Sequence, residues 1–133
     1  MIKLNTSRIL VPFDFSNTSK RAIRHAAMLA QMNNGELLLF YVKRPKSLLN
    51  IGYSTSELRT IAEERQNYRK LIEDTANEIR AEFNILVKVS VGMGNRISSI
   101  TRTTLKKEIG LIVMGVGTKW VETLMPPVVT GAV

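Results

Sequence analysis

Residues 8–42 read RILVPFDFSNTSKRAIRHAAMLAQMNNGELLLFYV, and the fold turns on how this stretch is divided. Arg8 to Phe13 is a short, mostly apolar run that stops at Asp14, the signature of a buried strand. Ser16-Asn17-Thr18 follows, a cluster of residue types that cap helix N-termini. Beyond it Ile23, Ala26, Ala27, Leu29 and Ala30 gather on one side of a helix, with Lys20, Arg21 and Arg24 on the other. Asn33-Asn34-Gly35 supplies the stop, because Asn and Gly tolerate the left-handed conformation that ends helices. Leu37 to Val42 is then a second continuously apolar strand. Strand, helix, strand with both strands apolar throughout predicts a parallel βαβ unit.

The same alternation continues along the chain. Ser54-Thr-Ser-Glu57 fits a capping box, and a long amphipathic helix carrying Leu58, Ile61, Tyr68, Ile72, Ile79 and Phe83 inward should follow it. Ile85 to Val91 alternates apolar residues with Lys88 and Ser90, which predicts a strand with one less-covered face at a sheet edge. Asn95 can cap a third helix with Ile97, Ile100 and Leu105 inward, and Leu111 to Met114 reads as strand four. Right-handed crossovers then make an open α/β sheet with helices on both faces. In such sheets ligands sit beyond the carboxyl ends of strands where the strand order reverses. Asp14 stands at one such end and the Gly115-Val-Gly117 loop at another.

Composition narrows the function classes. The chain has 133 residues, a 44% apolar fraction, no cysteine and one histidine. That suits one globular domain and excludes disulfide frameworks, thiolate nucleophiles and zinc–thiolate sites. No apolar run approaches the roughly 20 residues of a membrane span, and the N-terminal segment does not resemble a signal peptide, so a cytoplasmic protein is expected. A net charge of +8 invites a nucleic-acid partner. The basic residues are scattered, however, and the compact Lys43-Arg44-Pro45-Lys46 cluster has no aromatic interleaved for stacking. A solvated basic surface or attraction for an anionic ligand fits better.

Two Gly-x-Gly pairs follow strands. Neither completes a dinucleotide fingerprint, since Ile97 and Trp120 occupy the third glycine position, and there is no Gly-Lys-Ser/Thr. Gly92-Met-Gly94 reads as a tight strand-to-helix turn. For Gly115-Val-Gly117, a plain turn and a loop whose bare amides approach a phosphate stand equal on local grounds. Asp14 fits an ordinary turn or a ligand contact. His25 lies among alanines in the first helix with no nucleophile nearby, and reads as a helix-surface residue. Trp120 reads as a packing anchor ahead of a stacking surface. No carboxylate spacing suggests a Mg²⁺ cage, and no general base stands out.

Taken in order, Arg8-Ile-Leu-Val-Pro-Phe-Asp-Phe-Ser16, the Ala-rich helix, Phe40-Tyr41-Val42 and Leu111-Ile-Val-Met-Gly115 resemble the universal stress protein family, over nearly the whole chain. The resemblance implies a single Rossmann-like domain over residues 1–133, with parallel strand order 3-2-1-4-5, commonly dimeric. It implies ATP, with or without Mg²⁺, as ligand of a stress-response module that is at most a slow ATPase. By the same resemblance Asp14 would hydrogen-bond the adenine, Pro12 and Val42 would line its pocket, and Met114 and Gly115 would border the nucleotide.

ATP-binding members carry Gly-x2-Gly-x9-Gly-Ser/Thr after strand four. Here Gly117 comes one residue early, Thr118 stands where the second glycine belongs, and Gly131 comes three residues late and is followed by Ala132. The resemblance leaves the Gly131-Ala132-Val133 amides to reach the phosphates through a lengthened loop. The alternative is a nucleotide-free dimeric interaction domain of the same fold. The family's last helix and strand look missing at Val133, as in a fragment or one half of a tandem protein, or the last strand is stunted at Pro127-Val-Val-Thr130. Strand four is then expected to show an open edge to which another chain can pair.

Overall fold

Alternation along the first strand sets up the layers. The structure, a computed structural model, describes residues 7–43, 55–115 and 128–130. Strand β1 (Arg8–Pro12) sends Ile9 and Val11 to one face of the sheet and Leu10 to the other. Helix α1 (Asn17–Met32) and strand β2 (Glu36–Lys43) complete the anticipated βαβ unit. Helix α2 (Thr55–Phe83), strand β3 (Leu86–Met93), helix α3 (Arg96–Lys106), strand β4 (Leu111–Met114) and strand β5 (Val128–Thr130) follow. All strand pairs are parallel and the order is β3-β2-β1-β4-β5. The chain leaves β1 for β2 and β3, then returns to the far side of β1 as β4. The order therefore reverses between β1 and β4.

One face carries the larger core, where Ile9, Val11, Phe13, Leu37, Leu39, Val87, Leu111 and Val113 meet Ala22, Ile23, Ala26, Ala27 and Ala30 of α1 and Ile72, Ala76, Ile79 and Phe83 of α2. The alanines let α1 lie close to the sheet. The other face packs Leu10, Leu38, Phe40, Val42, Ile112 and Met114 against Ile100 of α3. Ser16 and Asn95 cap α1 and α3 by accepting the backbone N–H of Ser19 and Ser98. At the end of α1 the left-handed residue is Asn34 (φ 52°), and Gly35 N–H then bonds Ala30 O at 2.8 Å.

Two residues expected inside are exposed. Leu58 lies in the first half of α2, whose 29 residues span about 43 Å against roughly 26 Å for an eight-residue strand. Full burial along α2 therefore begins at Ile72, and Leu58 remains 54% exposed. Leu105 is 77% exposed because a step of five residues from Ile100 rotates it about 140° around α3.

The fifth strand is the stunted one anticipated at 127–130. Val128, Val129 and Thr130 pair with Ile112, Val113 and Met114, so β4 does not present the open edge expected of it. At the opposite edge β3 is long, with Lys88 exposed on the less-covered face as its alternation implied. Side chains of α2 occupy part of that edge. Arg65 Nε donates to Val91 O at 3.1 Å, and Arg80 donates to Val87 O through Nε at 3.1 Å and through Nη2. Occupied edge carbonyls make a poor template for another strand.

Candidate functional site

Asp14 follows β1 at the carboxyl end of the sheet and is built into the entrance of α1. Its Oδ1 accepts the Ser16 backbone N–H at 3.0 Å and both the Ser16 and Ser19 hydroxyls. In return the Asp14 N–H donates to Ser19 Oγ at 3.2 Å. Partial burial pushes the carboxyl upward, but the two hydroxyls and the Ser16 N–H outweigh it and hold Asp14 below the usual carboxylate range. Among the described residues every one of these bonds ends on Oδ1, which leaves Oδ2 without a partner from them and able to accept from a donor such as an exocyclic amine. Ser16 was legible as a helix cap. The Asp-x-Ser-x-x-Ser spacing is the sequence signal for Ser16 and Ser19 as partners of the carboxylate.

Between Asp14 and Ser16 stands Phe15, with φ at +64°. The other described non-glycine residues at positive φ are Asn34, Asn84 and Glu108, each just past a helix C-terminus where that conformation is usual. Phe15 has no such excuse, and the left-handed conformation costs a residue with a Cβ about 1–2 kcal/mol. Its ring packs on Phe13 at 4.7 Å, Tyr41 at 5.2 Å and Tyr68 at 5.9 Å between centroids. At about 0.5–1.5 kcal/mol for each aromatic pair, these contacts offset the strain. Lys43 lies 4.9 Å above the Tyr68 ring and pairs with Glu64 at 2.5 Å, which ties the cluster to both β2 and α2.

For Gly115 itself the structure gives a steric reason. A Cβ at this position would stand 2.7 Å from the Thr18 carbonyl carbon and 2.8 Å from Thr18 Cβ and O. The glycine is thus demanded by a close approach of the end of β4 to the first turn of α1. Thr18 Oγ1 lies 3.0 Å from Ser16 Oγ, so one contiguous set of groups leads from Gly115 to Asp14. Asp14 and Gly115 thus stand on the two sides of the helix entrance, linked through Thr18 and Ser16.

Pro12, Val42, Met114 and Gly115 are all buried, and Val42 and Met114 are each 1% exposed. Val42 and Met114 belong to one apolar cluster with Phe40 and Ile100, and form wall more than open surface. Among these five site residues, Asp14 alone keeps partial exposure. Gly117, Thr118, Trp120, Gly131, Ala132 and Val133 lie outside the described residues, as do Ser54 and the Glu57 side chain. Gly94 sits at φ +118° in the turn into α3, as a tight turn requires, and His25 is exposed on α1. Among the described residues no three His, Asp or Glu side chains gather to hold a metal ion. A cavity of about 440 Å³ opens at the other end of the strands, near Arg8, Glu36, Lys88 and Lys107. Arg8 and Lys88 are there paired with Glu36 at 3.3 and 3.6 Å, and none of the expected site residues lines it.

Comparison with known proteins places this geometry. A universal stress protein family protein from Burkholderia pseudomallei superposes with a TM-score of 0.75 at 20% identity, over 96% of this chain and 97% of its own. The universal stress protein UspA from Lactobacillus plantarum gives a TM-score of 0.75 at 17% identity, over 96% and 99%. A member from Arabidopsis thaliana with AMP bound gives 0.59 at 17% identity, over 93% and 90%. These likenesses carry the fold. A separate match covers 45 residues, 34% of this chain, at 51% identity to the putative pyrimidine permease RutG of Escherichia coli (strain K12). It spans only 10% of that protein, and no described helix here is long and apolar enough to cross a membrane. The pattern of the universal stress protein family matches residues 5–125. The chain belongs to the universal stress protein family.

Proposed function

We propose that residues 1–133 form one stress-response domain that binds an adenine nucleotide, ATP by preference, at the crevice between β1 and β4. The observation that carries this reading is the Asp14 carboxylate, held by Oδ1 and with Oδ2 unbonded among the described residues, at the point where the strand order reverses. Such an acceptor suits an adenine amino group, and Pro12, Val42 and Met114 supply an apolar wall beside it. Binding of AMP by the Arabidopsis relative supports the same ligand class. In this reading Gly115 lets β4 close on the helix entrance, while backbone amides among Gly117, Thr118 and Gly131-Ala132-Val133 hold the phosphates, with Mg²⁺ as their counter-ion. The domain acts by binding, at most with slow ATP hydrolysis, in the cytoplasm. Self-association belongs to the same reading, and with Val87 O and Val91 O of β3 taken by Arg80 and Arg65 a second copy would add at β5.

Calorimetric titration of the folded chain with ATP and with AMP tests the proposal. Heat of binding that disappears in Asp14→Ala supports it, and no heat at millimolar nucleotide ends it. The burial of Pro12, Val42, Met114 and Gly115 favours a second reading, a nucleotide-free dimeric interaction domain. A dimer by light scattering together with a flat titration would establish that one.

A further inference from the structure

The Asp14 turn is held from two sides of unequal character. On one side are hydrogen bonds to Ser16 and Ser19, all local and all within the entrance of α1. On the other is a single side chain, Phe15, which reaches away from α1 to rings on β2 and α2. One residue separates Asp14 from Ser16, so the backbone torsions of Phe15 decide whether Ser16 N–H meets the carboxylate. At φ +64° that bond forms at 3.0 Å while the ring lies among Phe13, Tyr41 and Tyr68. A phenylalanine left to itself avoids this conformation. The rings therefore act together with the local bonds to select a disfavoured backbone state. Tyr41 and Tyr68 are themselves mutually packed at 4.8 Å, and Lys43 and Glu64 fix Tyr68 from the rim.

We propose that Phe15 is the positioning residue of the site: its ring, clamped by Tyr41 and Tyr68, holds the backbone turn that presents the Asp14 carboxylate. The consequence for ligand binding rests on reading Asp14 as the nucleobase acceptor; the placement of the carboxylate does not. Phe15 touches no ligand in this scheme. It also links α2 to the site, since a shift of Tyr68 would release the turn without touching Asp14.

The test uses the full chain as wild type, Phe15→Ala and Phe15→Leu. The Asp14 carboxyl carbon is followed by NMR as pH is lowered, and ATP affinity is measured by calorimetry. In Phe15→Ala the Asp14 titration should move up toward the ordinary carboxylate range as the Ser16 and Ser19 bonds loosen, and ATP should bind roughly tenfold more weakly. Phe15→Leu, which keeps an apolar anchor, should fall between the two. An Asp14 titration unchanged from wild type in folded Phe15→Ala overturns the proposal. If the alanine variant does not fold, an unchanged titration in Phe15→Leu overturns it equally. A titration that moves in a protein whose wild type takes no ATP supports the positioning role and defeats the nucleotide reading instead.

Discussion

The two Gly-x-Gly pairs look alike in sequence, each closing an apolar strand, yet the molecule uses them for different ends. Gly94 is there for its torsions: φ is +118°, and a Cβ would meet nothing within 4 Å. Gly115 is there for space, because the backbone of Thr18 occupies the volume a Cβ would fill. Gly92 needs neither strictly, since its Cβ would approach the edge of the Phe40 ring at 3.3 Å. A glycine thus marks three physical situations, and what lies across the gap in the third dimension tells them apart. The difference also separates the two loops functionally. The Gly94 turn is tied by its N–H to Lys43 O at the end of β2, at 3.0 Å, whereas the Gly115 contact is joined through Thr18 and Ser16 to Asp14.

Gly115→Ala should break the molecule most. Neither β4 nor the first turn of α1 can yield by the required distance cheaply, so a loss of about 3 kcal/mol or more in a denaturant titration is expected. A loss below about 1 kcal/mol would mean that β4 and α1 are not so closely apposed. Gly94→Ala should cost about 1–2 kcal/mol by strain alone and leave nucleotide affinity unchanged. An Asp14-dependent readout that moved in this variant would erase the distinction between the loops.

Acid sharpens the same comparison. The folded state holds Asp14 below its ordinary value, so Asp14 contributes stability at neutral pH that is lost as pH falls from the ordinary carboxylate range through the lower folded value. Asp14→Asn should flatten that acid limb of the stability curve. Gly115→Ala should flatten it too, by displacing Thr18 and Ser16, while Gly94→Ala should keep it. At the small end, Gly92→Ala should change stability within about 0.5 kcal/mol, because the gain from a less flexible chain offsets the pressure on Phe40. At the sheet edge, Arg65→Ala with Arg80→Ala should raise concentration-dependent association in light scattering through the freed β3 carbonyls. An unchanged mass would show that the arginines do not guard the edge.

The sequence by itself determined the order and type of the elements. Continuous apolar strands, alanine-faced α1 and the capping residues Ser16 and Asn95 are local signals, and local propensity and burial agreed at each. It also brought Asp14 and Gly115 to notice as residues at strand ends. Which faces are buried over the length of α2, and that Leu105 points away, followed from the relative lengths and rotations of packed elements. The bonds from Arg65 and Arg80 to β3 carbonyls, the collision that makes Gly115 obligatory and the strained Phe15 clamped by Tyr41 and Tyr68 were decided only in tertiary structure. Each joins residues far apart in the chain, and the distance between two backbones or two rings leaves no mark on the spacing of either segment.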